Sequence, residues 1–320
     1  MTQPVVVMAI ARADFLERIR RYSFLFTLGF ALYLGYLATS GKLMLQVGHM
    51  RGIFNSAWVG GLLALVATAF ISLAGFYFVK NTIQRDRDTR VGQILAATPV
   101  SKFIYVLGKM VSNLAVLGLM VVILAVSGIA MQLVRGEDRH IELWKLFAPF
   151  LLLALPAMAV VSAIAVLFET IPFLRGGFGN IVYFFVWTTG LSLPIAAGTH
   201  ALDLAGMFVV ADSALRAAKL SPQSSAFSLS FDLGYFDIPL STFRWEGITW
   251  TTEIVISRVI WLGFALVRYR SVFGAEPVNP LRFSTLCSGM SVRSTQSPNL
   301  ISWPPLPRLR PPVIRCFIWS

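Results

Sequence analysis

Long runs of apolar residues, separated by short polar links, dominate the sequence. A run of about 20 such residues crosses the ~30 Å hydrocarbon core of a bilayer as an α-helix. Six candidate spans lie at residues 23–39, 57–79, 111–134, 146–168, 181–199 and 250–267. The pattern therefore predicts an all-α polytopic membrane protein with about six transmembrane helices.

The first 22 residues combine regularly spaced apolar side chains with Arg12, Arg18, Arg20 and Arg21. This spacing predicts an N-terminal amphipathic helix lying at the membrane interface before the first span. A cleavable signal peptide is the alternative, because Ala38-Thr39-Ser40 resembles a cleavage site. The long charged segment before the apolar run, which includes acidic residues, favours an uncleaved first span.

The distribution of basic residues predicts the orientation. Six spans place both termini on one side, and the links on that side carry more Lys and Arg than the opposite links. The positive-inside rule then places both termini in the cytoplasm, at a plasma or inner cell membrane. The link at residues 80–109 is cytoplasmic and the segment 200–250 is external. Within it, residues 201–219 have the spacing of an amphipathic helix, with Asp203 on its polar face.

Composition supports a membrane protein and excludes several soluble classes. Hydrophobic residues make up 56% of the chain and charged residues 13%, whereas soluble domains carry about 25% charged residues. The net charge of +12 does not indicate nucleic-acid binding, because the basic residues lie mainly between spans and in the tail. Two tail cysteines and three scattered histidines predict neither a disulfide framework nor a metal site.

A change of composition divides the chain into two regions. Residues 1–267 form the predicted transmembrane domain. Residues 268–320 are rich in Ser, Pro and Arg and have no periodicity. Such a segment cannot bury enough apolar surface to order itself. It is either a disordered tail or a sequence foreign to the fold, as after a shifted reading frame, and no function is assigned to it.

The chain carries no motif for catalysis of its own. The P-loop pattern fails because Met110 follows Gly108-Lys109 and Phe103 occupies the position of the first glycine. No nucleophile elbow or Ser/His/Asp set occurs either. The sequence therefore predicts a protein that is not an enzyme, with no catalytic residues, no metal and no cofactor of its own.

The charged link at residues 80–109 has the order helix, proline, helix. Its head, R-D-R-D-T-R at residues 85–90, alternates in charge, which suits docking on a polar protein surface. Pro99 disfavours helical geometry at Thr98 and so ends the first helix. Ser101 is predicted to cap the next helix, which leads into the third span. A solvated basic loop that simply obeys the positive-inside rule is the alternative.

Two charged residues lie within the predicted sixth span. Glu253 falls near its outer boundary and Arg258 lies deeper. Charges at this depth usually face the bundle interior or an aqueous path. Five residues separate them, or about 140° around a helix, so they do not pair directly. They are candidates for a substrate path, with structural anchoring as the alternative.

The run D-R-D-T-R-V-G-Q-I-L-A-A-T-P-V-S-K-F-I-Y-V-L-G-K resembles the segment between the second and third spans of ABC-2 type transporter permeases. The matching positions are Arg87, Asp88, Ile94, Leu95, Thr98, Pro99, Val100, Ser101, Gly108 and Lys109. Thr89-Arg90 stands where the family has Gly-Thr. The six-span layout, the N-terminal helix and the external segment extend the resemblance over residues 1–267.

The resemblance implies that this link is a coupling helix seated in a separate ATP-binding-cassette ATPase subunit. It implies a homodimer, or a pair with a similar permease, that exports a substrate with ATP bound by the partner subunit. The residues thereby assigned to partner binding are Asp86, Arg87, Asp88, Thr89, Arg90, Gln93, Leu95 and Pro99. The alternative function is a membrane-embedded structural or assembly protein whose loop docks a non-ATPase partner.

Overall fold

The structure, a computed structural model, describes residues 3–89, 100–219, 227–231 and 241–273. These residues all belong to one compact unit, Met1–Cys287. Most of them are helical, and the arrangement is that of a polytopic membrane protein.

The helices of the described residues are numbered in chain order. The first five are α1 (Gln3–Ile19), α2 (Tyr22–Thr39), α3 (Ser56–Val66), α4 (Ser72–Val79) and α5 (Thr82–Asp88). The later ones are α6 (Lys102–Arg135), α7 (Leu143–Pro149), α8 (Leu155–Thr170), α9 (Gly177–Ala197), α10 (Met207–Ala217) and α11 (Thr252–Phe273). π-helical segments at Ala67–Ile71 and Phe150–Ala154 join α3 to α4 and α7 to α8.

Within the described residues, five helical stretches are long and apolar enough to cross a membrane. They are Tyr22–Thr39, Ser56–Asp86, Phe103–Arg135, Leu143–Thr170 and Gly177–Ala197, and they overlap the first five predicted spans. Helix α11 occupies the position of the predicted sixth span and continues past its predicted end to Phe273. Every 18-residue stretch of α11 contains at least three charged residues, which sets it apart from the other five.

The two π-helical segments lie in neighbouring helices and contact each other in the core. A π turn contains one residue more than a regular α-helical turn. Pro149 precedes the second segment and Pro156 follows it. Because proline lacks the N–H needed for the regular helical ladder, these two residues account for the irregular winding between them.

Helices α3, α6 and α8 contribute much of the apolar core. Helices α3 and α7 approach each other closely, since a Cβ atom added to Gly60 would lie 2.5 Å from the backbone oxygen of Leu146. Only glycine allows the two backbones to meet in this way.

A small β-sheet lies between the helices, where the sequence analysis had assigned only polar links and loop. It contains β1 (Leu43–Val47), β2 (Met50–Gly52), β3 (Phe227–Phe231) and β4 (Ser241–Phe243) in the order β3-β1-β2-β4. Strand β1 pairs antiparallel with β2 and β3, while β2 and β4 are parallel. The predominantly helical, polytopic architecture agrees with the prediction, and the sheet is an addition to it whose short strands carry little signal of their own.

Aromatic packing attaches the sheet to the start of α3. The ring of Trp58 meets those of Phe243 and Trp245 edge-on, each at a centroid distance of 5.7 Å. The Asn55 side chain accepts a hydrogen bond from the Trp58 backbone N–H at 2.9 Å and donates one to the Trp245 carbonyl at 2.8 Å. Asn55 thus caps α3 and holds the chain after β4 in place.

An ion pair joins β2 to the link between α6 and α7. Arg51 donates two hydrogen bonds to the Glu137 carboxylate, at 2.7 and 3.1 Å, and the Phe54 backbone N–H donates a third at 3.0 Å. The hydrogen bonds from Arg51, helped by the one from Phe54, lower the pKa of Glu137 below its ordinary value of 4.5.

Because the folded-state pKa of Glu137 is lowered, its contribution to stability is present at neutral pH and is lost as the pH falls below about 4.5. We expect Glu137→Gln to have a lower melting temperature than the parent protein at pH 7. This difference should shrink as the pH falls through the lowered pKa. Thermal unfolding in detergent over a pH series measures it, and a difference independent of pH would contradict the role of the ionised carboxylate.

Candidate functional site

Helix α5 carries the first residues of the predicted coupling loop. It follows α4 after a sharp turn in which Asn81 has a left-handed backbone, φ 71°, a conformation that Asn adopts more readily than most residues. Asp86, Arg87 and Asp88 belong to α5, and Thr89 follows it. The other residues assigned to partner binding, Arg90, Gln93, Leu95 and Pro99, lie outside the described residues.

A buried ionic cluster attaches α5 to the N-terminal helix and to α6. Lys109 of α6 lies at its centre, with its Nζ 2.8 Å from Asp14 Oδ1 and 2.6 Å from Asp86 Oδ2. The hydroxyl of Tyr105 donates a further hydrogen bond to Asp86 at 2.7 Å. One ammonium group therefore joins α1, α5 and α6.

Two arginines complete this set of residues, which we call the anchoring cluster: Asp14, Arg18, Arg85, Asp86 and Lys109. Arg85 pairs with Asp14 at 3.3 Å and with Glu17 at 3.0 Å. Arg18 pairs with Asp14 at 3.4 Å and donates to the Thr82 hydroxyl. Burial lowers the pKa of the Arg18 guanidinium, and the nearby Asp14 carboxylate opposes this effect. The pairing is needed because an isolated buried charge is strongly destabilising.

Glu169, in the last turn of α8, caps α5 from the other side. Its carboxylate accepts hydrogen bonds from the backbone N–H groups of Thr82 at 2.9 Å and Ile83 at 2.5 Å, with Gln84 at 3.4 Å. These N–H groups have no partner within a helix that begins at this point. A negative charge there is also favoured by the helix dipole. Helix α5 is thus held by α1, α6 and α8 together.

The structure separates the predicted docking residues into two groups. Asp86 is only 6% exposed and is bound within the anchoring cluster, so its charge is not available on the surface. Asp88 and Thr89 are exposed, and Asp88 accepts a hydrogen bond from the Gln84 side chain at 3.0 Å. The exposed end of α5 is therefore the part that a partner can contact.

The sequence reasoning missed the roles of Asp14, Lys109 and Glu169. Asp14 and Arg18 lie four residues apart on one helical face, which is a detectable signal for an ion pair. Glu169 is a carboxylate at the end of a long apolar run, and such a residue needs a partner. Lys109 was noted only as part of a motif, although Gly108 beside it lets α6 approach Ile10 of α1.

Ser101 behaves as predicted. Its side-chain oxygen accepts a hydrogen bond from the Ile104 backbone N–H at 3.3 Å, and it caps α6, which begins at Lys102. The helix that leads from the loop into the bundle is therefore a single element through Gly108 and Lys109 to Arg135.

The candidate substrate-path residues Glu253 and Arg258 are placed differently from each other. Glu253 is exposed in the first turn of α11, whereas Arg258 is buried. Arg258 donates to the backbone carbonyl of Asp203, and its Nη2 lies 4.0 Å from the Asp203 carboxylate. The structure thus gives Arg258 a counter-charge on the link after α9 and does not bring it together with Glu253.

Asp203 is not on the polar face of an amphipathic helix, as the sequence analysis expected. The helix begins only at Met207, and Asp203 is fully buried before it. Its Oδ2 accepts a hydrogen bond from the Val209 backbone N–H at 2.9 Å. The turn at Gly206, with φ 82°, brings this carboxylate to the start of α10.

Among the described residues, no group of three His, Cys, Asp or Glu side chains is arranged to hold a metal ion. The best-defined polar site in the described part of the chain is therefore the anchoring cluster with the Glu169 cap at the base of α5. Comparison with known proteins adds no assignment: no protein-family model matches the chain, and no curated protein sequence matches it.

Proposed function

We propose that this chain is the membrane permease subunit of an ATP-binding-cassette exporter, driven by ATP that a separate ATPase subunit hydrolyses. The observation that carries the proposal is the attachment of α5. This short charged helix between two membrane helices has a base fixed by buried ion pairs and an exposed end. Such an element suits the transfer of a partner's movement to the bundle.

Because α5 is attached to three other helices, a movement of its exposed end would be transmitted to the membrane bundle. A partner that displaces the exposed end of α5 would also move α1 and α6 through Lys109, and α8 through Glu169. Packed helices respond to such displacements by shifts of whole elements. In this proposal the ATPase closes on ATP, and the docked α5 transmits that closure to the membrane helices.

In the proposed topology α11 is the sixth span and both termini are cytoplasmic. The positive-inside rule supports this orientation, because α1 and the link after α4 are rich in arginine and lysine. In this orientation the anchoring cluster lies at the cytoplasmic end of the bundle, within reach of an ATPase, in the plasma or inner membrane.

Helix α9 supports the pairing of two permease chains. Only 11% of its apolar stretch is buried within the chain, compared with 67% for Ser56–Asp86. Its exposed surface includes Thr188, Thr189 and Ser192. Small and hydroxyl side chains at such a surface favour helix association in lipid, so we propose that a second copy or a similar permease packs there.

Reversing two charges of the predicted coupling loop tests the docking role. We expect the double variant Arg87→Glu and Arg90→Glu to lose its ATPase partner, because like charges opposed at an interface are repulsive. The measurement is co-purification of a P-loop ATPase with the tagged chain in mild detergent, with the partner identified by mass spectrometry.

The double variant Arg12→Glu and Arg20→Glu is the matched control. It makes the same change of net charge at exposed positions of the N-terminal segment, and it should keep the partner. If the parent protein brings down no P-loop ATPase, the transporter assignment fails. Recovery of a non-ATPase partner would instead support a structural or assembly protein.

A further inference from the structure

A cavity of about 530 Å³ lies beside the anchoring cluster. It opens between the turn that joins α1 to α2 and the turn that joins α4 to α5. Four cationic side chains contribute to its lining, together with one carboxylate. These residues are Arg18, Arg21, Lys80, Arg85 and Asp88. The excess of positive charge indicates an anionic ligand.

Arg18 provides a donor that the protein itself leaves unused. Its side chain is only 3% exposed, and its Nη2 is engaged by Asp14 and Thr82. Among the described residues, none accepts a hydrogen bond from its Nη1. A buried donor normally has a partner, because leaving it unsatisfied is costly. Arg18 also contributes to the lining of the cavity, so a ligand bound there is a candidate acceptor.

The other cations of the lining already have hydrogen-bond partners, and they frame the site. Arg21 pairs with Glu17 at 2.7 Å. Lys80 donates to the Asn180 side chain at 2.7 Å and to the Gly176 carbonyl at 3.2 Å. Arg85, described above, is bound to two carboxylates. The direct contact expected of a ligand is therefore with Arg18, with long-range attraction from the rest.

The cavity lies at the ends of two membrane helices. Arg21 immediately precedes α2, while Tyr77 and Phe78 belong to the last turn of α4. Tyr77 is 39% exposed, as is usual for aromatic side chains at the level of lipid headgroups. Basic pockets at this level are suited to phosphorylated headgroups.

We propose that this cavity binds a phosphate group, with Arg18 as its principal donor and Arg21 at its rim. Phosphate matches the chemistry because its charged oxygens are strong acceptors for a guanidinium N–H. The group can belong to the headgroup of an anionic phospholipid or to free phosphate. The inference does not depend on the ATPase assignment, because the cavity and the Arg18 donor that is unpartnered within the described residues belong to this chain alone.

Native mass spectrometry of the full chain tests the lipid source. The protein is released from vesicles that contain equal amounts of phosphatidylglycerol and phosphatidylcholine, and the retained lipids are counted. We expect preferential retention of phosphatidylglycerol. Arg21→Gln should lower that preference several-fold, because it removes a cation from the rim of the cavity. Arg20→Gln is the control, because it removes the same charge from an exposed neighbour that does not line the cavity.

Inorganic phosphate tests the second source. If the protein retains no preferred lipid but phosphate raises its melting temperature, and Arg21→Gln reduces this shift, the site binds free phosphate. Arg18→Gln should abolish either form of binding; its folding is checked by size-exclusion chromatography, because it also loses the contacts with Asp14 and Thr82. Absence of both lipid preference and phosphate stabilisation overturns the proposal. Equal losses in Arg20→Gln and Arg21→Gln overturn it as well.

Discussion

Replacement of Lys109 by methionine is expected to lower the free energy of unfolding by about 3–5 kcal/mol, the usual cost of removing one partner from a buried ion pair. The substitution keeps most of the side-chain volume but leaves Asp14 and Asp86 without the ammonium group between them. Unfolding by denaturant in detergent, followed by tryptophan fluorescence, measures the change.

Lys145 provides a matched control for this experiment. It also bridges two carboxylates, Glu142 at 3.0 Å and Glu246 at 2.5 Å. Its side chain is 28% exposed, compared with 3% for Lys109, and exposed pairs contribute only about 0–1 kcal/mol. Similar losses in Lys109→Met and Lys145→Met would contradict the importance of the buried cluster.

A variant that also neutralises a carboxylate partner of Lys109 separates the effect of the lysine charge from the effect of its side-chain packing. Combining Lys109→Met with Asp86→Asn removes the ammonium group and one of its two carboxylates. Asp14 keeps Arg18 and Arg85 as partners. We expect this double variant to recover part of the lost stability, because Asp86 is then no longer a charge buried beside an uncharged side chain. No recovery at all would indicate that Lys109 acts through packing.

Replacement of Glu169 by alanine is expected to loosen α5 and to cost about 2 kcal/mol, since charged hydrogen bonds contribute roughly 1.5–3 kcal/mol and helix caps about 0.5–2 kcal/mol. The backbone N–H groups of Thr82 and Ile83 lose their acceptor. Hydrogen–deuterium exchange measures the result as faster exchange confined to α5 and its connection to α4.

Glu142→Ala is the control for the cap. Glu142 stands immediately before α7, yet its side chain makes no capping hydrogen bond with that helix. Its removal should leave exchange in α5 and α7 nearly unchanged. If Glu169→Ala exchanges like the parent protein over α5, the carboxylate is not what holds this helix.

Local signals in the sequence predicted the parts of the site that depend on neighbours along the chain. The cap at Ser101 follows from a polar residue just before an apolar helix, and the long apolar runs mark the five membrane-length helices. These features need no knowledge of distant residues, because capping and apolar periodicity act within a few turns.

Contacts between distant residues account for what the sequence analysis missed. Asp86 seemed available for docking because its neighbours alternate in charge, but its burial depends on Lys109 and Asp14, far away in the chain. The burial of Asp203 depends similarly on Arg258. Strand β1 finds its partner β3 some 180 residues later, as the pairing of Leu45 with Leu229 illustrates. No periodicity encodes such pairings.

The π-helical segments have a geometric consequence for α5. Each residue of an α-helix turns the chain by about 100° around the helix axis. The extra residue in Ala67–Ile71 therefore determines which way the side chains of α4 face around that axis. Without that residue, α4 would present a different side to its neighbours, and the turn at Asn81 would point α5 away from Lys109 and Glu169. One added residue deep in the bundle therefore fixes the direction in which the charged helix leaves it.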